Sequence, residues 1–415
     1  MADAHGGRQI GSLMTLAVVA ALSPLFVLPL VARVAGPTEF VGLALGQAWG
    51  TLATTVIMYG WTVTGPTQVT QSARPREVLR ASLVSRLIVS LVALPLLVIV
   101  AALASPVGQT QLSILSSLAF SVQGMGLVWY FVGLGRPKYV ALFDTLPRLV
   151  ANVAGATLAW LTNSVIVYPL FVLLVYGAAI LAAAIGFSRP KRWGRLAEVA
   201  LLRSQLIIGI AALKSQWRSA SVASTLTFFE TVPLSILGVL GSPIINGYAP
   251  FDRVLKYGYV GVYMVSSSFQ GWVASTVARQ MYVRRRYAIL VHIILGVVGG
   301  GAFATMAPVL VNLLLGPGFD IDLPTSLWGG VALCAMSLSA GLGLNVLASA
   351  GDDRHYFQAT ATGAVLIVPA VVFAAQFGTV AAVAMSVALI QLLIAGILFI
   401  HARPLLLPPV PHEKD

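Results

Sequence analysis

Lys214, Arg218, Ser221 and Thr225 recur at i, i+4, i+7 and i+11 within a long apolar stretch, which puts them on one stripe of an α-helix. Cations inside hydrocarbon are costly and are kept where they face a polar cavity or a counter-charge. Taking Arg203 as the edge of the stretch, Lys214 lies ~16 Å along a helix that rises ~1.5 Å per residue, close to mid-bilayer. Snorkelling to either surface is strained from that depth. The stripe therefore offers anion binding, with hydroxyls alongside. The competing structural reading is an interhelical ion pair with Asp144 or Glu230.

A second stripe runs through Lys256, Tyr259, Tyr263, Ser267 and Gln270, with Asp252 and Arg253 just before it. Aromatic and amide groups on one polar face suit contact with sugars or head groups, and the same tyrosines fit an interfacial aromatic belt. Gln47, Thr51 and Thr54, with Ser116, Gln123 and Tyr130, are candidates for an opposite wall or for hydrogen bonds between helices. Asp144 and Arg148 read as a local i, i+4 ion pair. Glu230 lies off the Lys214 stripe. Glu230 and Asp144 are the candidate coupling residues. Arg86 reads as reaching the head groups.

These residues need a membrane bundle to hold them. The chain has 415 residues, 58% hydrophobic and 9% charged, with a mean hydropathy of +0.91. Soluble domains carry about 25% charged residues, so composition excludes a soluble protein. Spans of about 20 apolar residues are expected at 10–31, 40–61, 81–104, 112–134, 140–161 and 165–187. The second half adds 206–240, 254–277, 288–314, 327–348, 359–377 and 380–400. The first run is too long for a cleaved signal and reads as a retained helix. The seventh is long enough to tilt or to bend at Pro233.

A net charge of +12 would suggest nucleic acid in a soluble protein. Here the bases cluster in alternate loops, among them Arg74, Arg76, Arg80, Arg136 and Lys138. Arg189, Lys191, Arg192, Arg284, Arg285, Arg286, Arg354 and Arg403 continue the same set. The bias predicts a protein of the cytoplasmic membrane with both termini in the cytoplasm, and no nucleic-acid partner. Cys334 is the sole cysteine and reads as packing.

The chain also repeats itself weakly. Gly36 to Ala44 aligns with Gly241 to Ala249, and Gly124, Gly126 and Tyr139 align with Gly341, Gly343 and Tyr356. The expected fold is an all-α polytopic bundle of about twelve transmembrane helices in two pseudo-symmetric six-helix lobes. Residues 1–187 form the N-terminal lobe and 206–415 the C-terminal lobe. Between them, 188–205 is a basic cytoplasmic linker with a short interfacial helix around Trp193, Leu196 and Val199.

Enzymatic signatures are missing. The sequence has no Walker-type glycine loop and no nucleophile motif with a histidine and an acid. The histidines His5, His292, His355, His401 and His412 do not pair at ligand spacing. No cofactor, metal or enzyme activity is expected.

Residues 28–42, LPLVARVAGPTEFVG, resemble the first-to-second-helix signature of polysaccharide flippases, the Wzx-type branch of the multidrug/oligosaccharidyl-lipid/polysaccharide exporter superfamily. Residues 129–139, WYFVGLGRPKY, resemble that family's fourth-to-fifth-helix region. The resemblance implies two six-helix lobes facing a central, often cationic cavity. It implies export of an undecaprenyl-pyrophosphate-linked oligosaccharide by alternating access. Membrane lipids, a polysaccharide polymerase and glycosyltransferases are the candidate further partners. Rival readings are an ion-coupled multidrug antiporter of the same fold, which would want acidic cavity groups, and a membrane glycan polymerase or ligase, which would want a large outer loop. A major-facilitator transporter would carry a signature loop that 62–80 lacks, and a non-transporting scaffold in a glycan assembly complex would be separated by translocation assays on purified protein.

Overall fold

The apolar stretches form helices in the computed structural model. It describes the backbone of residues 2–188, 195–274 and 278–407, and the side chains of 27–188, 206–217, 220–270, 272–273 and 280–407. No strand occurs among the described residues. The chain divides into two compact units, Met1–Thr227 and Phe228–Asp415. The division falls within one long helix.

Unit 1 opens with α1 (Ala2–Met58), which covers the first expected span and all but the last three residues of the second. Gly36 interrupts it at φ 61 and ψ 176, a conformation that glycine alone adopts freely, just before Pro37. Then come α2 (Trp61–Gln71), α3 (Pro75–Ala104) and α4 (Thr110–Ser121), a 3₁₀ turn (Val122–Met125), and the short helices α5 (Val128–Gly133) and α6 (Pro137–Val140). A π-helical turn (Ala141–Thr145) leads into α7 (Leu146–Thr162), which is followed by α8 (Val167–Ser188) and α9 (Arg195–Val239), the helix that crosses the division. Unit 2 continues with α10 (Ile245–Ala274), α11 (Ala278–Leu315), α12 (Leu323–Ala340), a π-helical turn (Gly341–Leu347), α13 (Asp353–Ala375) and α14 (Val380–Ala402).

Among the described residues, helix lies at every expected span. Among the described residues, nine helical segments are long and apolar enough to cross a membrane. The 17-residue α7 is not one of them, and neither is α10, which carries Asp252, Arg253 and Lys256. The chain is a multi-pass membrane protein. Side chains of residues 10–26 in the first expected span, and those of the expected linker 188–205 beyond Ser188, lie outside the described residues.

Helix α3 shows the membrane logic within one element. Ser82, Ser85, Arg86 and Ser90 are buried, while Leu91 is 77% and Leu103 71% exposed. Apolar side chains face outward, to lipid, and polar ones face protein. Helix contacts are close because small residues line them. A Cβ on Gly46 of α1 would stand 2.4 Å from the Ser113 carbonyl oxygen of α4, and one on Gly330 of α12 would stand 2.4 Å from the Gly300 oxygen of α11.

Positive φ marks turns in both units: Gly36 (within α1), Tyr59, Gly60, Gly108, Gly135 and Asn163 in unit 1, and Gly241, Gly316, Gly318, Gly351 and Gly378 in unit 2. In each unit the helix carrying the repeated Gly-x-Gly is interrupted, by the 3₁₀ turn after α4 and by the π turn after α12. Each interruption receives one buried basic side chain. Arg86 Nη1 donates to the Gly124 and Gly126 carbonyls at 3.0 and 2.8 Å. His292 lies 3.1 Å from Asn345 Nδ2 within the π turn. Arg86 is thus a correction to the head-group reading: it is fully buried. The 3₁₀ turn leaves carbonyls without helical donors, and a guanidinium supplies them.

Candidate functional site

A recess of about 440 Å³ in unit 1 is lined by Tyr59, Leu213, Lys214 and Trp217. Helix α9 contributes three of the four at i, i+1 and i+4, so they share one side. Tyr59 stands one residue past the end of α1. Its φ is 47, and Gly60 follows at φ 80. A bulky residue in that left-handed region is strained, and such strain collects at functional sites. The side-chain hydroxyls of Thr55 and Thr227 lie 3.1 Å apart and join α1 to α9.

Lys214 is exposed within this structure, and no described carboxylate pairs with it. A cation between an indole and a phenol can bind an anion while the rings pack against an apolar or sugar moiety. The Arg218 side chain lies outside the described residues. Ser221 donates its hydroxyl to the Trp217 carbonyl at 2.7 Å, and Thr225 donates to the Ser221 carbonyl. Both hydroxyls serve their own helix.

The other unit 1 candidates are engaged internally. Gln47 is only 3% exposed. Gln123 sits in the 3₁₀ turn and is half-buried. Thr54 donates to the Phe120 carbonyl at 2.7 Å, a bond between helices. Ser116 and Tyr130 are buried. Asp144, in the π turn, accepts from Arg148 Nη2 at 2.9 Å and from the Tyr176 hydroxyl, while the same Nη2 donates to Tyr176 at 2.9 Å. Arg148 also stacks over the Tyr176 ring at 5.1 Å. The carboxylate is closed off by this triad.

Unit 2 holds the second stripe. Lys256 Nζ pairs with Asp252 at 2.6 Å, so its charge is compensated within α10. Arg253 lies over the Tyr257 ring at 5.4 Å. Tyr259 is 4% exposed. The Tyr263 hydroxyl donates to Glu230 Oε1 at 3.3 Å, linking α10 to α9. Ser267 bonds back to the Tyr263 carbonyl at 2.8 Å, and Gln270 is half-buried. The structure thus joins Glu230 to Tyr263, and Lys256 to Asp252.

Sequence reasoning missed three features. Tyr59 and Trp217 wall the recess; the Tyr-Gly step at 59–60, closing an apolar run, was the available signal. His355 and His401, which no ligand spacing relates, stack at 4.2 Å between ring centroids, with His355 Nδ1 2.7 Å from Asp352 Oδ2. They lie on different helices, so no spacing rule relates them. His292 is fully buried among Ser266, Ser337 and Asn345. No three- or four-residue metal-ligand cluster occurs among the described residues.

Residues 7–208 match the family model described as "Polysaccharide biosynthesis protein". No curated protein matches the chain in sequence. Solved structures share the fold over nearly all of it. The lipid II flippase MurJ, in an inward closed conformation, superposes with a TM-score of 0.62 at 10% identity, over 94% of this chain and 87% of that one. The eukaryotic MATE transporter AtDTX14 gives 0.57 at 13% identity, over 95% of each chain. An inward-facing multidrug resistance MATE family transporter of the MOP superfamily gives 0.53 at 16% identity, over 95% and 94%.

Proposed function

We propose that this chain, with a polysaccharide-biosynthesis sequence pattern in its first half and a MATE- and MurJ-like fold throughout, is a flippase and not an enzyme. Its cargo is an oligosaccharide linked to undecaprenyl pyrophosphate, carried across the cytoplasmic membrane by alternating access, with both termini in the cytoplasm. The observation that carries this reading is the Lys214 ammonium, unpaired among the described residues, in a recess walled by Tyr59 and Trp217. A pyrophosphate needs a cation when it leaves water, and a sugar packs on aromatic rings and hydrogen-bonds to polar groups. The family match supports a polysaccharide cargo, and the MurJ likeness is in keeping with a lipid-linked one.

In this reading Lys214, with Arg218, holds the pyrophosphate. Gln123 in unit 1 and Arg253, Lys256, Tyr263 and Gln270 in unit 2 remain proposed glycan contacts, each within its own unit and with the Lys256 charge compensated by Asp252, whereas Gln47 and Tyr259 are buried and Ser221 and Thr225 are bonded within α9, so they would need to be freed first. Glu230, bonded to Tyr263, is the better candidate for coupling. Asp144 is already held by Arg148 and Tyr176. Two six-helix lobes, 1–187 and 206–415, remain the proposed architecture, with a polymerase and glycosyltransferases as proposed partners.

The test is translocation of a fluorescent undecaprenyl-pyrophosphate oligosaccharide by purified protein in proteoliposomes. Wild type moves the label across the bilayer, Lys214→Ala does not, and Lys214→Arg retains activity. Equal transport by the alanine variant, or efflux of organic cations in place of the lipid-linked sugar, overturns the proposal.

A further inference from the structure

We propose that the end of unit 1 where α2 meets α5 and α3 begins holds the phosphate head group of an anionic phospholipid, at a site separate from the Lys214 recess. The ends of α2 and α5 are clamped together. Thr70 Oγ1 donates to the Gly133 carbonyl at 3.1 Å, and a Cβ on Gly133 would stand 2.7 Å from Val69 Cβ. The chain leaving α2 enters α3 with Arg76 in its first turn, and the chain leaving α5 reaches Arg136 just before α6. Arg76 stands five residues beyond Gln71, the end of α2, and Arg136 three beyond Gly133, the end of α5, so both bases leave the clamped helix ends by short connections.

Arg76, Arg136 and the nearby Lys138 are exposed. No described carboxylate pairs with Arg76 or Arg136, whereas the neighbouring Glu77 is taken by Arg74 at 3.1 Å. Arg80 is fixed at the same end, its Nε donating to the Ser188 carbonyl at 2.9 Å. Like charges gathered by the fold repel one another unless an anion lies between them. The first turn of α3, uncapped by any side chain, adds positive partial charge.

Two observations select a lipid over a soluble anion. Beneath the bases lies a ring cluster in which Tyr139 and Phe131 each stand 5.0 Å from Phe187, with Arg136 5.6 Å over Tyr139. Such rings anchor a protein at the membrane–water boundary. Farther along α3, the outward Leu87 and Leu91 offer an apolar track for acyl chains. A phosphate at Arg76 and Arg136 can therefore keep its tails in the bilayer. The charge bias of the loops assigns this end to the cytoplasmic leaflet.

Full-length protein in nanodiscs of defined composition provides the test, with retained lipid counted by native mass spectrometry. Phosphatidylglycerol is retained and phosphatidylcholine is not. Arg76→Gln with Arg136→Gln weakens retention roughly 10- to 30-fold, as two surface bases should. Arg76→Lys with Arg136→Lys keeps most of it, and Arg33→Gln, in α1, changes nothing. These side chains are exposed, and an unchanged melting temperature in detergent separates loss of the site from loss of the fold. Undiminished phosphatidylglycerol retention by the double glutamine variant overturns the proposal. So does equal retention of phosphatidylcholine. Displacement of the lipid by millimolar inorganic phosphate identifies a free-anion site and overturns it too.

Discussion

Lys214, Tyr59 and Arg86 have three different relations to charge and strain, and each predicts a different loss. Lys214 supplies an uncompensated cation, so Lys214→Ala should lower transport at least about tenfold at normal membrane abundance, the scale of one charge-assisted contact. Vesicle flux beside a quantified immunoblot checks it. Tyr59 holds a left-handed backbone that costs of order 1–3 kcal/mol. Tyr59→Gly should therefore melt no lower than wild type and yet transport less, because the recess loses a wall. A variant that is less stable and fully active would show that the strain is structural. Arg86 satisfies two glycine carbonyls from a fully buried position. Arg86→Met keeps the volume but removes the donors, at a cost of about 2–4 kcal/mol, read from thermal unfolding in detergent. At this scale the sequence showed which residues are charged, but it put Arg86 at the wrong depth. Residue spacing along α3 does not reveal that the neighbouring 3₁₀ turn lacks donors.

The elements are held by close approach and by capping. On α1, Gly46 and Gly50 face the Ser113 and Ser117 carbonyls of α4 at distances no Cβ tolerates. Gly46→Val should force α1 and α4 apart and lower the melting temperature far more than Gly36→Ala, whose added Cβ meets nothing and only strains a left-handed turn. Comparable shifts would mean the contact is plastic. In unit 2, Asp352 caps α13 by accepting from the His355 N–H. Burial pushes its carboxyl up, but the hydrogen bonds and charge of His355 outweigh that and hold it below its usual range. A carboxyl lowered in the fold stabilises fully above ~pH 4 and loses that contribution as pH falls through the folded value. Asp352→Ala should cost about 1 kcal/mol near neutrality, and the cost should shrink on acidification. Melting curves across pH 3–7 test the sign. Helix positions were legible because a run of about 20 apolar residues has few alternatives. The π turns were not, because Gly341 and Gly343 give the same signal for a close contact and for a changed helical register.

For the whole molecule, alternate basic loops predict that a reporter fused at the C-terminus, active only in the cytoplasm, will be active. An inactive fusion would reverse the orientation assigned to every loop. The sequence by itself determined that the chain spans a membrane many times, since hydropathy is a local property that survives without a partner. Gly36 and Gly241, which align in sequence, both have positive φ, 61 and 59. Only the tertiary structure decided which charges are compensated. Glu230 finds Tyr263 on another helix, and Arg86 finds two carbonyls. Lys214 finds no carboxylate among the described residues and meets Tyr59 from the far end of α1. The physical reason is that the cost of a charge in a membrane depends on what other helices place beside it, and no spacing along one helix encodes that.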